Sequence, residues 1–531
     1  MVQSHRSIPG PGFSDESGVL SMHVSESRTD ADRAELTERA ARGGARSRRE
    51  FFSGAGLGAF WAAVLRFGPE ARAATPPVSA DIEPNSLLTK LVRRITQGYT
   101  GVEMALANSL GYSGYLEHHL NYAAIDDTQV EQMVAGLPTI SMLPYQLYAQ
   151  TPGVIQAQLI LATIWRSVYS RRQLYQRMVE FWTDHFNIDI TQDPPRFLKT
   201  VDDRDVIRPH ALGTFPALLS ASAHSPAMLT YLDNDRSIVG NPNENYAREL
   251  MELHSLGVDG GYTQQDVQEV ARCFTGWGLF NRSTQQQNSG LFRFNPAQHD
   301  NGQKLVLGNI IPAGGGQQDG ETVLSILGAH PSTANFISKK LCRWFFGEDA
   351  PAELIGAVAS TYTATAGDIR AMIRTVLAPN VLADARPRYK RPYHQFVSAM
   401  RAVPTTIGAN VNALRNQLNA AGHQPFYWGP PDGYPDTLEY WSGLILPRWN
   451  FGAALMAGTV TGVTVDFNTF LAGLNTAQQV ADKIDTELFG GEMDPVQKDA
   501  VRQYMLPDPP TLNEKREAIG LAMASPGFQW Y

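Results

Sequence analysis

The sequence predicts a mainly α fold, one large helical domain with a small β-hairpin insertion and long structured loops. Three observations predict it. Apolar residues recur at three- and four-residue spacing along most of the chain beyond residue 80. Capping residues and glycines bracket the best defined of these stretches. Strand-like alternation is confined to two short runs, 291–295 and 304–309, the candidates for the hairpin.

In chain order, helical spacing covers 87–95, 102–110, 128–134 and 152–188, the last long enough to be two helices. A polar loop at 281–290 (NRSTQQQNSG) leads into the hairpin region, and 313–320 (AGGGQQDG) is a second loop. Helices resume at 321–327, 332–346, 352–361, 368–377, 393–402 and 411–420. Residues 425–436, rich in Pro, Gly and aromatics, read as a structured loop, and four or five helices close the chain. The helical domain is expected over 80–531, with a sub-boundary near 350. No short repeat and no phosphate-binding glycine loop is present. Cys273 and Cys342 fall in amphipathic helices, where two buried free thiols are expected and a single bridge is the alternative.

The N-terminus reads as an address. Ser47-Arg48-Arg49-Glu50-Phe51-Phe52 is a twin-arginine pattern, followed by an uncharged run to Leu65 and an A-x-A site at Ala71-Arg72-Ala73. The uncharged run falls short of the ~20 residues that span a bilayer. The expectation is a polar, disordered n-region over 1–45, with Met22 an alternative start, and a cleavable signal over 46–73. Export would place the mature protein in the periplasm or outside the cell, with no membrane span after cleavage. The full chain carries 44 Lys+Arg against 52 Asp+Glu, a net charge of −8. This balance argues against a nucleic-acid or anionic-membrane binder.

The most informative segment is 243–278, NENYARELMELHSLGVDGGYTQQDVQEVARCFTGWG. Asn243 suits an N-cap, with Glu244 in the first turn and Gly257 at the C′ position. Steps of about 100° per residue place Glu244, Asn245, Arg248, Glu249, Glu252 and Ser255 on one face and Tyr246, Ala247, Leu250, Met251, Leu253 and His254 on the other. Glu244, Arg248 and Glu252 form an i, i+4 charge ladder. Thr263 and Asp266 make a capping box for the next helix. Met251 and Leu250 precede His254 by three and four residues, so the helix holds no metal-binding pair by itself, and His254 reads as a core histidine hydrogen-bonded to a neighbour.

Five constellations hold polar groups with chemical potential. Trp182, Asp184 and His185 end a helix whose apolar stripe includes His185; with His254 they suit a metal site, an acid–base pair or two satisfied core histidines. Arg208 and His210 flank Pro209 at what reads as a helix entrance, either an anion pocket or an arginine paired to a nearby aspartate. Asp233 and Asn234 suit a turn. His299 and Asp300 with Lys304 suit a metal or an acidic sugar, or an Asx turn. Glu244, Arg248, Glu249 and Glu252, with Tyr246 beside them, suit a cleft wall or a solvated face.

The 243–278 segment closely resembles the signature of the bacterial domain-of-unknown-function 1800 family. So do Phe181-Trp182-Thr183-Asp184-His185-Phe186-Asn187, Arg208-Pro209-His210-Ala211-Leu212-Gly213, Ser225-Pro226-Ala227-Met228-Leu229, Tyr231-Leu232-Asp233-Asn234, His330-Pro331-Ser332-Thr333-Ala334, Gly433-Tyr434-Pro435-Asp436 and Ala524-Ser525-Pro526-Gly527-Phe528-Gln529, together with His299-Asp300, Gly302 and Lys304. The resemblance implies an exported, largely helical bacterial protein, often encoded beside a twin-arginine-exported family that looks like sulfatases and alkaline phosphatases. It transfers no reaction and no catalytic residue. One departure is Asp184, where the family pattern F-W-x-N-H-F has Asn; it changes the charge beside His185.

The reading carried forward is an acid–base or metal-assisted hydrolase or lyase acting on an extracellular polymer, a polysaccharide. Glu244, Glu249, Glu252, His185, His299 and Asp300 are the candidate catalytic groups. Arg208, His210, Arg248, Trp182, Tyr246 and Lys304 are the candidate substrate-binding groups. Trp277, Trp428 and Trp441 join Trp182 as surfaces for sugar rings. No metal ligand set is assigned and the cofactor is left open. Two rivals stand beside it, a non-catalytic exported scaffold partnering the sulfatase-like protein and a metal or haem carrier. No Gly-x-Ser-x-Gly, His-Glu-x-x-His or Cys-x-x-Cys supports a serine hydrolase, a zincin or a thiol redox protein. Convergence of the polar groups in one water-accessible pocket separates the enzyme from the scaffold.

Overall fold

A computed structural model describes residues 86–531. The expected n-region and twin-arginine signal lie outside the described residues. Helices form where the spacing predicts them, and three two-stranded antiparallel pairs are the only sheets among the described residues. The 152–188 stretch is two helices, Pro152–Tyr169 and Gln173–His185. Asp127 holds the break between them, accepting from Ser170 Oγ (2.7 Å) and the Arg171 N–H (2.8 Å). The 87–95 segment forms a helix over Leu87–Ile95, whereas the 102–110 segment lies in a longer one, Gly101–Leu120, kinked at Gly111, where φ is +68°.

The strand segments depart from expectation. Runs 291–295 and 304–309 do not pair with each other. Phe292–Phe294 pairs with Trp277–Leu279, while Lys304–Val306 pairs with Asn309–Ile311. The second pair closes on itself because Leu307 and Gly308 both take positive φ, the geometry of a two-residue hairpin turn. That leaves the 292–294 strand to the edge that follows the Gln264–Cys273 helix. A third pair, Thr405–Ile407 with Val463–Val465, has no counterpart in the sequence reading.

The capping chemistry of the 243–273 region is as predicted. Asn243 accepts from the Asn245 N–H (2.9 Å), and Thr263 and Asp266 form the capping box. The Glu244–Glu252 helix is shorter than the glycine signal implies. Leu253 is its C-cap, and Gly257 takes its positive φ a turn later. Arg208 and His210 also differ. Helix Pro195–Asp202 continues through a π turn, Asp203–Ile207, into Arg208–His210, so these residues end a helix instead of opening one. The widened turn sends the Arg208 N–H to the Asp203 carbonyl and leaves Pro209 no donor to satisfy.

The core is continuous through residue 350, with Leu341, Phe345, Leu354 and Val358 in one buried cluster. Both cysteines are buried and free, and burial pushes each thiol up to about 12. The 425–436 loop is pinned by side chains from elsewhere. Asn187 donates to the carbonyls of Trp428 (2.9 Å) and Pro430 (2.7 Å), and Tyr231 donates to that of Gly429. Gly433 then packs on the end of the Gln173–His185 helix at φ +78°, where a Cβ would lie 2.1 Å from the Asp184 carbonyl oxygen.

That contact is open to test. Gly433→Ala combines left-handed strain with a backbone clash and is expected to lower stability by about 3 kcal/mol or more. Gly473 has φ +74° and nothing within 4 Å of its Cβ position, so Gly473→Ala should cost only about 1 kcal/mol. Denaturant unfolding of both variants checks the difference.

Candidate functional site

The Gln173–His185 helix ends by presenting Phe181, Asp184 and His185 to a cleft of about 750 Å³. One face of the Pro331–Phe345 helix supplies a second wall through Ser332, Asn335, Phe336, Lys339, Lys340 and Arg343. The 257–259 turn, Arg391 and the 432–437 segment complete it. Gly257 lets the turn close on the helix, since a Cβ there would lie 2.8 Å from Phe336.

His185 is buried among Trp182, Phe186 and Phe215. Its Nε2 donates to the His254 carbonyl (3.1 Å), which leaves Nδ1 as an acceptor for Lys340 Nζ at 2.9 Å. Burial, reinforced by the Lys340 charge, holds the imidazole well below its usual range, so it is neutral. Lys340 has no ion-pair partner among the described residues. Burial lowers its ammonium to about 8, against the opposing fields of Asp184 and Asp436. His254 is buried beside His185, with ring centroids 6.0 Å apart, and its Nε2 has no hydrogen-bond partner. Burial takes it down to about 3, so it is a neutral core histidine, short of one expected hydrogen bond.

Asp184 forms an ion pair with Arg391, which also contacts Asp436 (3.2 Å). Burial raises Asp184 to about 6, with Arg391 opposing and Glu180 and Asp436 adding to the rise. Asp436 moves the other way. Burial would raise it, but Arg388 and Arg391 hold it below the usual carboxylate range. Behind this row the Trp344 ring is flanked by the guanidiniums of Arg177, Arg388 and Arg391, at 4.7, 4.9 and 5.0 Å from its centroid. Glu180 accepts from His394 Nε2 (2.7 Å), and His394 Nδ1 accepts from the Tyr531 hydroxyl (2.9 Å). This arrangement agrees with a His394 that burial keeps down at about 4 and a Glu180 that stays ionised against its own burial.

The cleft can therefore do proton chemistry. It brings together a lysine of modest basicity, a carboxyl of reduced acidity and a neutral imidazole that positions the lysine. Among the described residues no cluster of three His, Cys, Asp or Glu is arranged to hold a metal.

Of the residues assigned a catalytic or substrate-binding role from sequence, His185 alone lines this cleft, with Asp184, singled out beside it, as its neighbour there. Trp182 is a core side chain bonded to the Ala211 carbonyl (3.0 Å), and Tyr246 is a core ring set edge-on to Phe274. Trp277 and Trp441 are buried too, whereas Trp428 bonds Asp432 at the cleft rim (2.8 Å). Arg208 pairs with Asp203 (2.6 Å) and Gln176 (3.1 Å), and His210 lies apart, half-buried. His299, Lys304 and Asp319 form a separate buried cluster: His299 Nδ1 donates to the Thr275 carbonyl (2.8 Å), while Nε2 and Lys304 both meet Asp319. Asp300 pairs with Arg272 (2.8 Å). Glu244, Arg248 and Glu252 form the predicted ladder at 3.3 Å per pair, with 37 % of the Arg248 side chain exposed, a solvated face. Glu249 is half-buried and raised by burial, then by Glu252, with a smaller contribution from Asp432, but it does not line the cleft.

Lys340, Arg391 and Arg343 have no place in the sequence reading, Asp436 enters only within a motif, and Asp184 is named there beside His185 without a catalytic or binding role. A signal for Lys340 did exist. Phe336, Lys340 and Trp344 recur at four-residue steps, so the lysine sits on an apolar stripe.

No curated protein and no solved structure matches the chain. The model of a protein family of unknown function, DUF1800, matches residues 90–530, and the chain belongs to that family.

Proposed function

We propose that the cleft is an acid–base active site that hydrolyses a polymer outside the cytoplasm, a polysaccharide. The observation that carries this reading is the pair of shifted groups in one cleft, Lys340 lowered to about 8 and Asp184 raised to about 6. Between those values Asp184 is ionised and Lys340 protonated. The carboxylate can then take a proton from an attacking water while the ammonium gives one to the leaving oxygen. His185 is a positioning residue, fixing Lys340 through Nδ1 because its Nε2 proton is committed to the His254 carbonyl. The cleft volume suits a few sugar units, and Ser332, Asn335, Asp259 and Asp432 supply partners for hydroxyls. The twin-arginine pattern supports export to the periplasm or beyond.

The scaffold reading, with a sulfatase-like partner, draws support from the dispersal of Arg208, Asp300 and Glu244 into separate ion pairs. A turnover screen of the purified protein on polysaccharides separates the two, since a scaffold turns nothing over.

For the polymer that is cleaved, kcat/KM should follow a bell with limbs near pH 6 and pH 8. Activity falls below the first as Asp184 gains a proton and above the second as Lys340 loses one. A profile flat across both values removes these assignments. Lys340→Met should lower kcat at least ~100-fold. Its stability at pH 7 should be equal to wild type or higher. The sign follows from Lys340 binding its proton less tightly folded than unfolded, so its contribution to stability at pH 7 is unfavourable and recovers only as pH rises through 8 toward 10.5. Glu249→Gln, outside the cleft, should keep the wild-type rate.

A further inference from the structure

The geometry points to an acidic polysaccharide as the occupant of the cleft, its anionic groups read by Lys339 and Arg343 and its hydroxyls by Asp259 and Asp432. The choice of a sugar polymer rests on the acid–base reading above; the charge selectivity rests on the cleft itself. The Pro331–Phe345 helix turns Lys339, Lys340 and Arg343 into the cleft within one turn of each other. Neither Lys339 nor Arg343 has an ion-pair partner among the described residues, in a chain whose net charge is −8. Lys339 is exposed and Arg343 half-buried, so both charges are available to a ligand.

The cleft is lined by as many carboxylates as cations, but Asp184 and Asp436 are both engaged by Arg391, and Lys339 and Arg343 stand together on one wall, where they set a locally positive field in a chain of net negative charge. Residues four apart on a helix are ~6 Å apart along its axis, a rise comparable to one sugar unit. The remaining lining argues for a sugar over a polyphosphate chain. Asp259 and Asp432 are exposed carboxylates on the 257–259 turn and the 425–436 loop. They accept from the hydroxyls that a sugar unit offers and a polyphosphate lacks. Phe336 adds a half-buried ring.

The test uses the full chain and four probes: a polyuronate, a sulfated galactan, a neutral glucan and polyphosphate. Affinity is measured by calorimetry at two salt concentrations. The expected result is binding of the polyuronate or the sulfated galactan at least tenfold tighter than the glucan, weakened by salt. The two acidic polymers distinguish a carboxylate from a sulfate ester as the group recognised. The Lys339→Gln/Arg343→Gln double variant should lose about tenfold or more of that affinity with an unchanged unfolding midpoint. Equal binding of the glucan, binding of polyphosphate as tight as that of the sugars, no binding at all, or full affinity in the double variant overturns the inference. The Lys340→Met variant keeps the two readings apart. Acidic-polymer binding without turnover by wild type or variant counts against the acid–base site alone. Turnover of a neutral glycan that survives in the double variant counts against the charge selectivity alone.

Discussion

Three arginines around one tryptophan constrain the cleft and its surroundings. Arg177, Arg388 and Arg391 all lie within 5.0 Å of the Trp344 ring, and all are buried. Each cation–ring contact contributes ~0.5–2 kcal/mol, but three guanidiniums out of water would cost far more without counter-charges. Glu180, Asp184 and Asp436 supply them. Neutralising the cluster thus requires the Gln173–His185 helix, the Pro331–Phe345 helix, the 388–391 segment and the 425–436 loop to meet at one place. The cleft is the exposed side of that meeting. Tyr531 joins it from the far side, bonding Arg177 and His394 through its hydroxyl while its backbone pairs with Arg388.

Local features of the fold were legible in the sequence, and features made by tertiary contact were not. Helix spacing, the Asn243 cap, the Thr263–Asp266 box and the charge ladder all depend on residues within a few positions of each other, and they stand where the sequence places them. The strand pairing failed because alternation marks a strand without naming its partner, and the turn at Leu307–Gly308 decides that locally. Arg208 was misplaced because Pro209 reads as a helix start, whereas a π turn lets it end one. The site was only half legible for the same reason. His185 stood out by its motif, but the residue it positions lies 155 positions away in the chain.

The dispersed polar groups differ from the cleft groups in one physical respect. Arg208, Lys304 and Arg272 are each matched by a carboxylate at ion-pair distance. Charges paired in this way hold elements together and leave nothing for a ligand. Lys340 is held at 2.9 Å by a neutral imidazole instead of a carboxylate. A fold selected only for stability would place a carboxylate or an apolar side chain there. An unpaired lysine lining the largest of the cavities described fits the proposed role in proton chemistry, a group kept at the expense of stability.

Asp184 ties the two halves of this arrangement together. An asparagine at this position would accept from Arg391 but carry no charge, leaving three guanidiniums against two carboxylates. Lys340 would also lose the largest field that favours its protonated form, since Asp184 is the first of the acidic groups opposing its desolvation. The carboxylate therefore acts on both sides of the cleft wall. Inward, it balances the arginines that orient Trp344; outward, it keeps Lys340 able to hold a proton near neutral pH. Its own raised value is the cost of serving both, because burial and the neighbouring Glu180 and Asp436 disfavour the charge that Arg391 requires. Asp184 is thus where structural charge balance and the proposed proton chemistry share a side chain.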